Sequence, residues 1–392
     1  MKQGTKTGPV GSSEVIGGGR DDLLAAFVAV QPNAACSERL RRLTDEEWLT
    51  LAGRGRNHGV LPLMREALRR MTTPPQPPLQ VAQAMEATYQ DAARSGRAAF
   101  HQLAELVAAF NSARIPVVGL KGAYLANAIY GDPALRPMRD LDPMVRRADL
   151  EAAERVLGAL GYTRDHSPRA EGEQGHHLPG FERDGAKTVE LHWSINVFDA
   201  ARGNTDPWRP VFAIDMDRIW SGVESARLGP IDLLTLSIED MLAHLCIHVG
   251  FHHAFTRGLQ SICDIDRLVR ARAREIDWSQ LGATARDWGA AKLVAVTLRL
   301  VNELLRTAVP VEALAETAWT ERDEEVYPAI RAAVLRAPRR GGKEWFARRR
   351  VIDPWLLEVT GSPSRGDIVT IRRRRLERDA GAGTAITPPS PS

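Results

Sequence analysis

Apolar positions recur at helical spacing from Asp21 to about Arg70: Leu23, Leu24, Phe27 and Val28, then Trp48, Leu49, Leu51 and Ala52, then Val60, Leu61, Leu63 and Met64. Side chains three or four residues apart share one face of a helix, so this stretch predicts amphipathic helices. Thr44-Asp45-Glu46-Glu47 has the form of a capping box, in which the threonine hydroxyl accepts an orphan backbone N–H and Glu47 reaches back. Pro74-Pro75-Gln76-Pro77-Pro78 stops the run, because proline cannot continue a helix. A long helix is expected next, from about Leu79 to Ser112 and ending before Pro116.

The pattern then changes. Ile115-Pro116-Val117-Val118-Gly119-Leu120 is short, apolar and β-branched, and reads as a buried strand entering a turn at Lys121-Gly122. Ala123 to Tyr130 reads as a short helix and Leu141 to Val145 as a second strand. Asp149 starts a helix through Leu160 that Gly161 closes as a left-handed residue. Thr188 to Trp193 alternates and reads as another strand. That order indicates an α/β or α+β core. Beyond Leu233 the pattern is helical again. Ser237-Ile238-Glu239-Asp240 repeats the capping form before an apolar helix through Val249, and further helices are expected over 259–272, 278–288 and 290–305. The chain is expected to divide into a disordered N-terminus (1–20), a helical region (21–112), the core (113–230), a C-terminal helical domain (231–337), a basic region (338–378) and a disordered tail (379–392).

Composition narrows the class. The 392 residues carry 52 Lys and Arg against 49 Asp and Glu, a net charge of +3, which argues against a wholesale polyanion binder. Arg339, Arg340, Lys343, Arg348 to Arg350 and Arg372 to Arg375 are locally basic, yet lack aromatic interleaving beyond Trp345-Phe346. They read as a solvated face, which disfavours nucleic acid as a partner. Cys36, Cys246 and Cys263 are odd in number and widely spaced, so no disulfide framework is expected and a reducing cytoplasm fits. No run of about 18 apolar residues predicts a membrane span.

The chemistry concentrates in the core. Asp140 and Asp142 flank Leu141, so on a strand both carboxylates leave one face. Carboxylates held close repel unless a cation lies between them, and a hard cation such as Mg²⁺, or Mn²⁺, takes a few carboxylates plus phosphate oxygens. Glu190, in an apolar–acidic–apolar triplet, supplies a third carboxylate from another strand. Lys121 and Gly122 suit a phosphate, the glycine by permitting close backbone approach and the lysine as a point charge. Arg136 and Arg139 suit bidentate contact with phosphate oxygens. An Asp-x-Asp by itself is weak: Asp264-Ile265-Asp266 and Asp215-Met216-Asp217 share the form and are set aside.

At these residues the chain resembles the polymerase-β-like nucleotidyltransferase superfamily, and within it a bacterial family of uncharacterised nucleotidyltransferases. The matching residues are Leu120-Lys121-Gly122, Tyr130, Arg136, Asp140-Leu141-Asp142, Leu160-Gly161-Tyr162 and Glu190-Leu191-His192-Trp193, with His58-Gly59-Val60, Leu245-Cys246-Ile247-His248 and Cys263-Asp264-Ile265 at either side. The resemblance implies an α+β fold, with a small mixed-sheet core flanked by helical regions. It also implies metal-dependent transfer from an NTP, ATP by default, to a small-molecule, sugar-phosphate or peptide acceptor. Two departures stand out. Ala123 follows Lys121-Gly122 where the superfamily carries Gly-Ser, and Pro143 follows Asp142, which predicts an edge or bulged strand. They keep open a catalytically weak nucleotide- or peptide-binding scaffold, and a toxin-like enzyme acting on tRNA is a third reading.

The histidines admit more than one role. His244, His248 and His252 share a helix face, either packed locally or with His248 or His252 lining the nucleotide cleft. His176-His177 lies in a Gly-flanked loop, where His177 is a surface residue or a general base. His192 follows Glu190 by two residues and is expected to line the cleft.

Overall fold

The computed structural model describes residues 20–164, 176–196, 210–310, 319–336 and 343–360. The glycine-rich N-terminus, Arg339, Arg340, Arg372 to Arg375 and the proline-rich tail lie outside these residues. Among the described residues no helix is long and apolar enough to cross a membrane.

Helices at Arg20–Val28, Ala34–Arg41, Asp45–Asn57 and Leu61–Arg70 precede the 34-residue helix Leu79–Ser112. The capping box forms: Thr44 N donates to Glu47 Oε2 at 3.0 Å and Glu47 N donates to the Thr44 hydroxyl at 3.3 Å. The long helix starts directly after Pro78, where a missing N–H costs nothing, and buries Met85, Leu103, Leu106 and Phe110.

The core holds β1 (Val118–Gly119), β2 (Asp140–Leu141), β3 (Pro143–Met144), β4 (Thr163–Arg164), β5 (Phe181–Glu182), β6 (Thr188–Val189), β7 (Glu224–Leu228) and β8 (Ile231–Thr235). They form two four-stranded sheets, β3-β1-β8-β7 and β2-β6-β5-β4, each with one parallel pair, β1 with β8 and β2 with β6. β2 and β3 are one extended segment interrupted at Asp142, so the sheets meet there. As expected of Pro143, β3 lies at the edge of its sheet, where that sheet meets the second one. Gly119 pairs with Pro143 on one side, and on the other His192 N donates to Pro143 O at 2.8 Å. The ladder breaks at Asp142, immediately before the residue that has no N–H to give. β7 and β8 form a hairpin closed through Gly229 at φ +56°, and β8 carries the sheet on to Thr235.

Past β8 come helices Ile238–Ile247, Leu259–Ala271, Trp278–Asp287, Ala291–Leu305, Glu321–Arg336 and Lys343–Val359. The first runs into a π-helical turn, His248–His252. The fold is therefore α+β, with the sheets between helical regions. A continuous apolar cluster joins all three, from Phe27 through Val118 and Leu141 to Leu298 and Trp355. The three cysteines are buried free thiols.

Asp323 ties the last helices together. It accepts from Lys292 Nζ at 2.6 Å and Trp355 Nε1 at 2.8 Å, and from Thr320 N at 2.8 Å. Burial works to raise its carboxyl, but these donors outweigh burial and leave it at about 2, below the ordinary 3.8. A carboxyl lowered on folding contributes stability that is complete above its unfolded value and lost as pH falls through its folded one. Acid titration followed by circular dichroism is expected to show wild type losing stability between about pH 4 and 2 through this group. Asp323→Asn should be less stable at neutral pH and flatter across that window.

Candidate functional site

Register assembles the acidic residues. β2 and β6 run parallel with Asp140 opposite Thr188 and Leu141 opposite Val189, and Glu190 N donates to Leu141 O at 2.9 Å. One step further, Asp142 stands abreast of Glu190. His192 bridges Met144, with Val145 N donating to its carbonyl at 3.0 Å. On the other flank Leu120 N donates to Asp142 O at 3.1 Å, which brings Lys121 to the same spot.

Asp142 is almost fully buried. Its Oδ1 lies 3.3 Å from Lys121 Nζ and 3.1 Å from His192 Nε2. Burial would raise its carboxyl, but the Lys121 ammonium and the His192 hydrogen bond outweigh burial and hold it well below the usual carboxylate range. Asp140 and Glu190 move the other way: burial raises both, and the charge on Asp142 adds to the rise. His192 is driven down to about 4, by burial first and then by the Lys121 charge, so it is neutral at neutral pH. Lys121 sits in the left-handed region, φ +41°, at the start of the short helix Lys121–Tyr124. For a non-glycine residue that conformation costs roughly 1–3 kcal/mol, the kind of strain that gathers at working sites.

Asp142, Glu190 and His192 each offer a ligand atom, and these atoms lie within 4.8 Å of one another. Their oxygen and nitrogen donors, one of them firmly ionised, fit a divalent cation. Asp140 stands outside this group, two residues back along the strand. Arg139 is exposed just before it.

Arg136 is committed elsewhere. Read from the sequence as a phosphate contact, it makes a fork with Asp264, Nη2 to Oδ2 at 2.9 Å and Nε to Oδ1 at 3.2 Å. The Tyr130 hydroxyl donates to the same carboxylate at 2.8 Å. Gly122 belongs to this cluster: a Cβ there would lie 2.3 Å from Arg136 Nη1. Asp264, set aside in the sequence as a chance Asp-x-Asp, thus receives Tyr130 and Arg136, 134 and 128 residues away. Only the conjunction of Tyr130, Arg136 and Cys263-Asp264-Ile265 among the family-like residues could have signalled it.

The histidines gather into a file leading from the acidic residues. His177 and His176 each have ring centroids 5.1 Å from His192, and His176 lies 4.8 Å from His252. His252 lies 5.5 Å from His248, and His248 6.2 Å from His244. His177 Nε2 is 4.0 Å from Glu190 Oε2. Burial pushes His176, His244 and His248 well below the usual imidazole range.

Among solved structures the chain is similar to the solution structure of the antibiotic-resistance factor ANT(2'')-Ia, at 12% identity and a TM-score of 0.34, with 48% of this chain and 90% of that one covered. No curated protein matches the sequence. The family model described as an uncharacterised nucleotidyltransferase matches residues 44–306. That span is well over half of the chain and holds both Asp142 with its partners and the Arg136–Asp264 pair, and the chain belongs to this family of nucleotidyltransferases.

Proposed function

We propose that the chain transfers a nucleoside monophosphate from an NTP, ATP in the first instance, to a hydroxyl or phosphate on a small molecule, sugar phosphate or peptide. Mg²⁺ or Mn²⁺ would be held by Asp142 and Glu190, with Asp140 adding charge from the same strand. The observation that carries this reading is Asp142, buried and ionised, abreast of Glu190 and 3.3 Å from the Lys121 ammonium. A cation bound there supplies charge that stabilises the attacking and leaving oxygens of an in-line displacement.

The chain's own residues do the rest. Lys121, with Arg139 at the rim, neutralises triphosphate oxygens. Arg136 acts through Asp264 and Gly122, fixing the turn that carries Lys121. The acceptor oxygen bonds to the α-phosphorus as the bond to the pyrophosphate oxygen breaks. The acceptor's proton passes to a base, a role we assign to His177 because it stands 4.0 Å from Glu190 and is half-exposed.

Incubating the protein with each of four labelled NTPs, Mg²⁺ or Mn²⁺ and a panel of acceptors tests the reading. Expected are pyrophosphate release, an acceptor heavier by one nucleoside monophosphate, and loss of both on chelating the metal. Nucleotide binding without release, unchanged by Asp142→Asn, would favour the scaffold instead.

A further inference from the structure

We infer that the divalent cation of this site has a nitrogen ligand, Nε2 of His192, and that the chain therefore selects Mn²⁺, and with it Co²⁺ and Zn²⁺, over Mg²⁺. The inference rests on the cation seat proposed above and names the ion that seat prefers.

His192 is fully buried, and its Nε2 points at Asp142 Oδ1 from 3.1 Å, inside the three-atom group that spans 4.8 Å. Its other ring nitrogen, Nδ1, is buried without a hydrogen-bond partner among the described residues, so the imidazole is anchored on the carboxylate side alone. The backbone cannot easily turn it away. His192 N donates to Pro143 O at 2.8 Å and its carbonyl accepts from Val145 N at 3.0 Å. The rings of His176 and His177, each 5.1 Å off, wall it in. With Asp142 ionised, Nε2 carries the proton of that hydrogen bond, so an ion taking Nε2 displaces it and the ring's single proton moves to Nδ1, with the ring itself already in position.

Mg²⁺ is a hard ion that takes oxygen ligands and gives up its waters reluctantly. Imidazole suits the transition ions, whose affinity for such a site rises from Mn²⁺ onward. If His192 only oriented Asp142 through its hydrogen bond, it would be a positioning residue, no nitrogen would reach the ion, and this preference would vanish.

The full-length protein, stripped of metal and titrated with Mn²⁺ alone, decides the matter by pulsed electron paramagnetic resonance. The expected result is a directly bound ¹⁴N, with Mn²⁺ outcompeting Mg²⁺ by at least about tenfold in affinity. His192→Gln should abolish the nitrogen coupling and cut the preference by about tenfold, while His176→Gln and His177→Gln retain both. Should His192→Gln fail to fold, wild type carrying ¹⁵N-histidine shows whether the nitrogen is a histidine's, and the two neighbouring variants exclude their own. Bound Mn²⁺ without a coordinated nitrogen overturns the inference and leaves the carboxylate seat standing. Coupling that survives in His192→Gln overturns it as well, and failure to bind Mn²⁺ at all removes the seat itself.

Discussion

The Asp142→Asn protein is expected to release pyrophosphate more than about 100-fold more slowly than wild type, beyond the loss seen when a residue that merely supports a metal ligand is changed. The amide keeps the shape of the side chain and its place between Lys121 and His192, but removes the charge that both neighbours hold in its ionised form. A cation would then find a neutral oxygen where it needs an anionic one. The measurement pairs steady-state pyrophosphate release with Mn²⁺ affinity and a thermal melt. A single cooperative transition separates loss of chemistry from loss of fold. Wild-type turnover in this variant would remove Asp142 from the reaction and with it the proposed mechanism.

The largest loss of stability is expected at the other carboxylate. Asp264→Ala leaves the Arg136 guanidinium buried without its counter-charge and takes away the acceptor of the Tyr130 hydroxyl. Breaking a buried pair from one side costs about 3–5 kcal/mol, because a charge stays behind in a poorly solvating place. Replacing both members, Arg136→Met with Asp264→Leu, should recover much of that, since no charge remains to be stranded. Denaturant melts of wild type, Arg136→Met, Asp264→Leu and the double give the coupling energy directly. If the single and double losses simply add, the pair is not the joint between the core and the Leu259–Ala271 helix that the geometry describes. Activity should fall with Asp264→Ala even where folding is restored by cold or osmolyte, because Gly122 and Arg136 brace the turn that aims Lys121.

Features set by neighbouring residues were legible in the sequence. The Thr44 capping box, the start of the long helix at Leu79 after a proline run, and Gly161 at φ +83° closing the Leu150–Ala159 helix all follow from contacts within a few residues. The acidic residues were marked by alternation and by the family-like residues around them, but only the pairing of β2 with β6 brings Glu190 abreast of Asp142, and Asp140 stands outside that group. Nothing comparable marks β4, β5, β7 and β8. Two of them span only two residues, and β8 lies parallel to β1 through Val118 and Leu234, a pairing across more than a hundred residues. Pro143, by contrast, was legible from its missing N–H: β3 is the edge strand of its sheet, and the ladder breaks just before it.

By itself, then, the sequence determined the helices with their local stops and the α+β order, because propensity, capping and alternation are short-range. Tertiary structure alone decided which charges met. It drew Arg136 to Asp264, set His192 beside Asp142 and Glu190, and gathered the remaining histidines into a file. Electrostatic pairing depends on distance in space and on burial, and neither is fixed until the sheets and helices have packed.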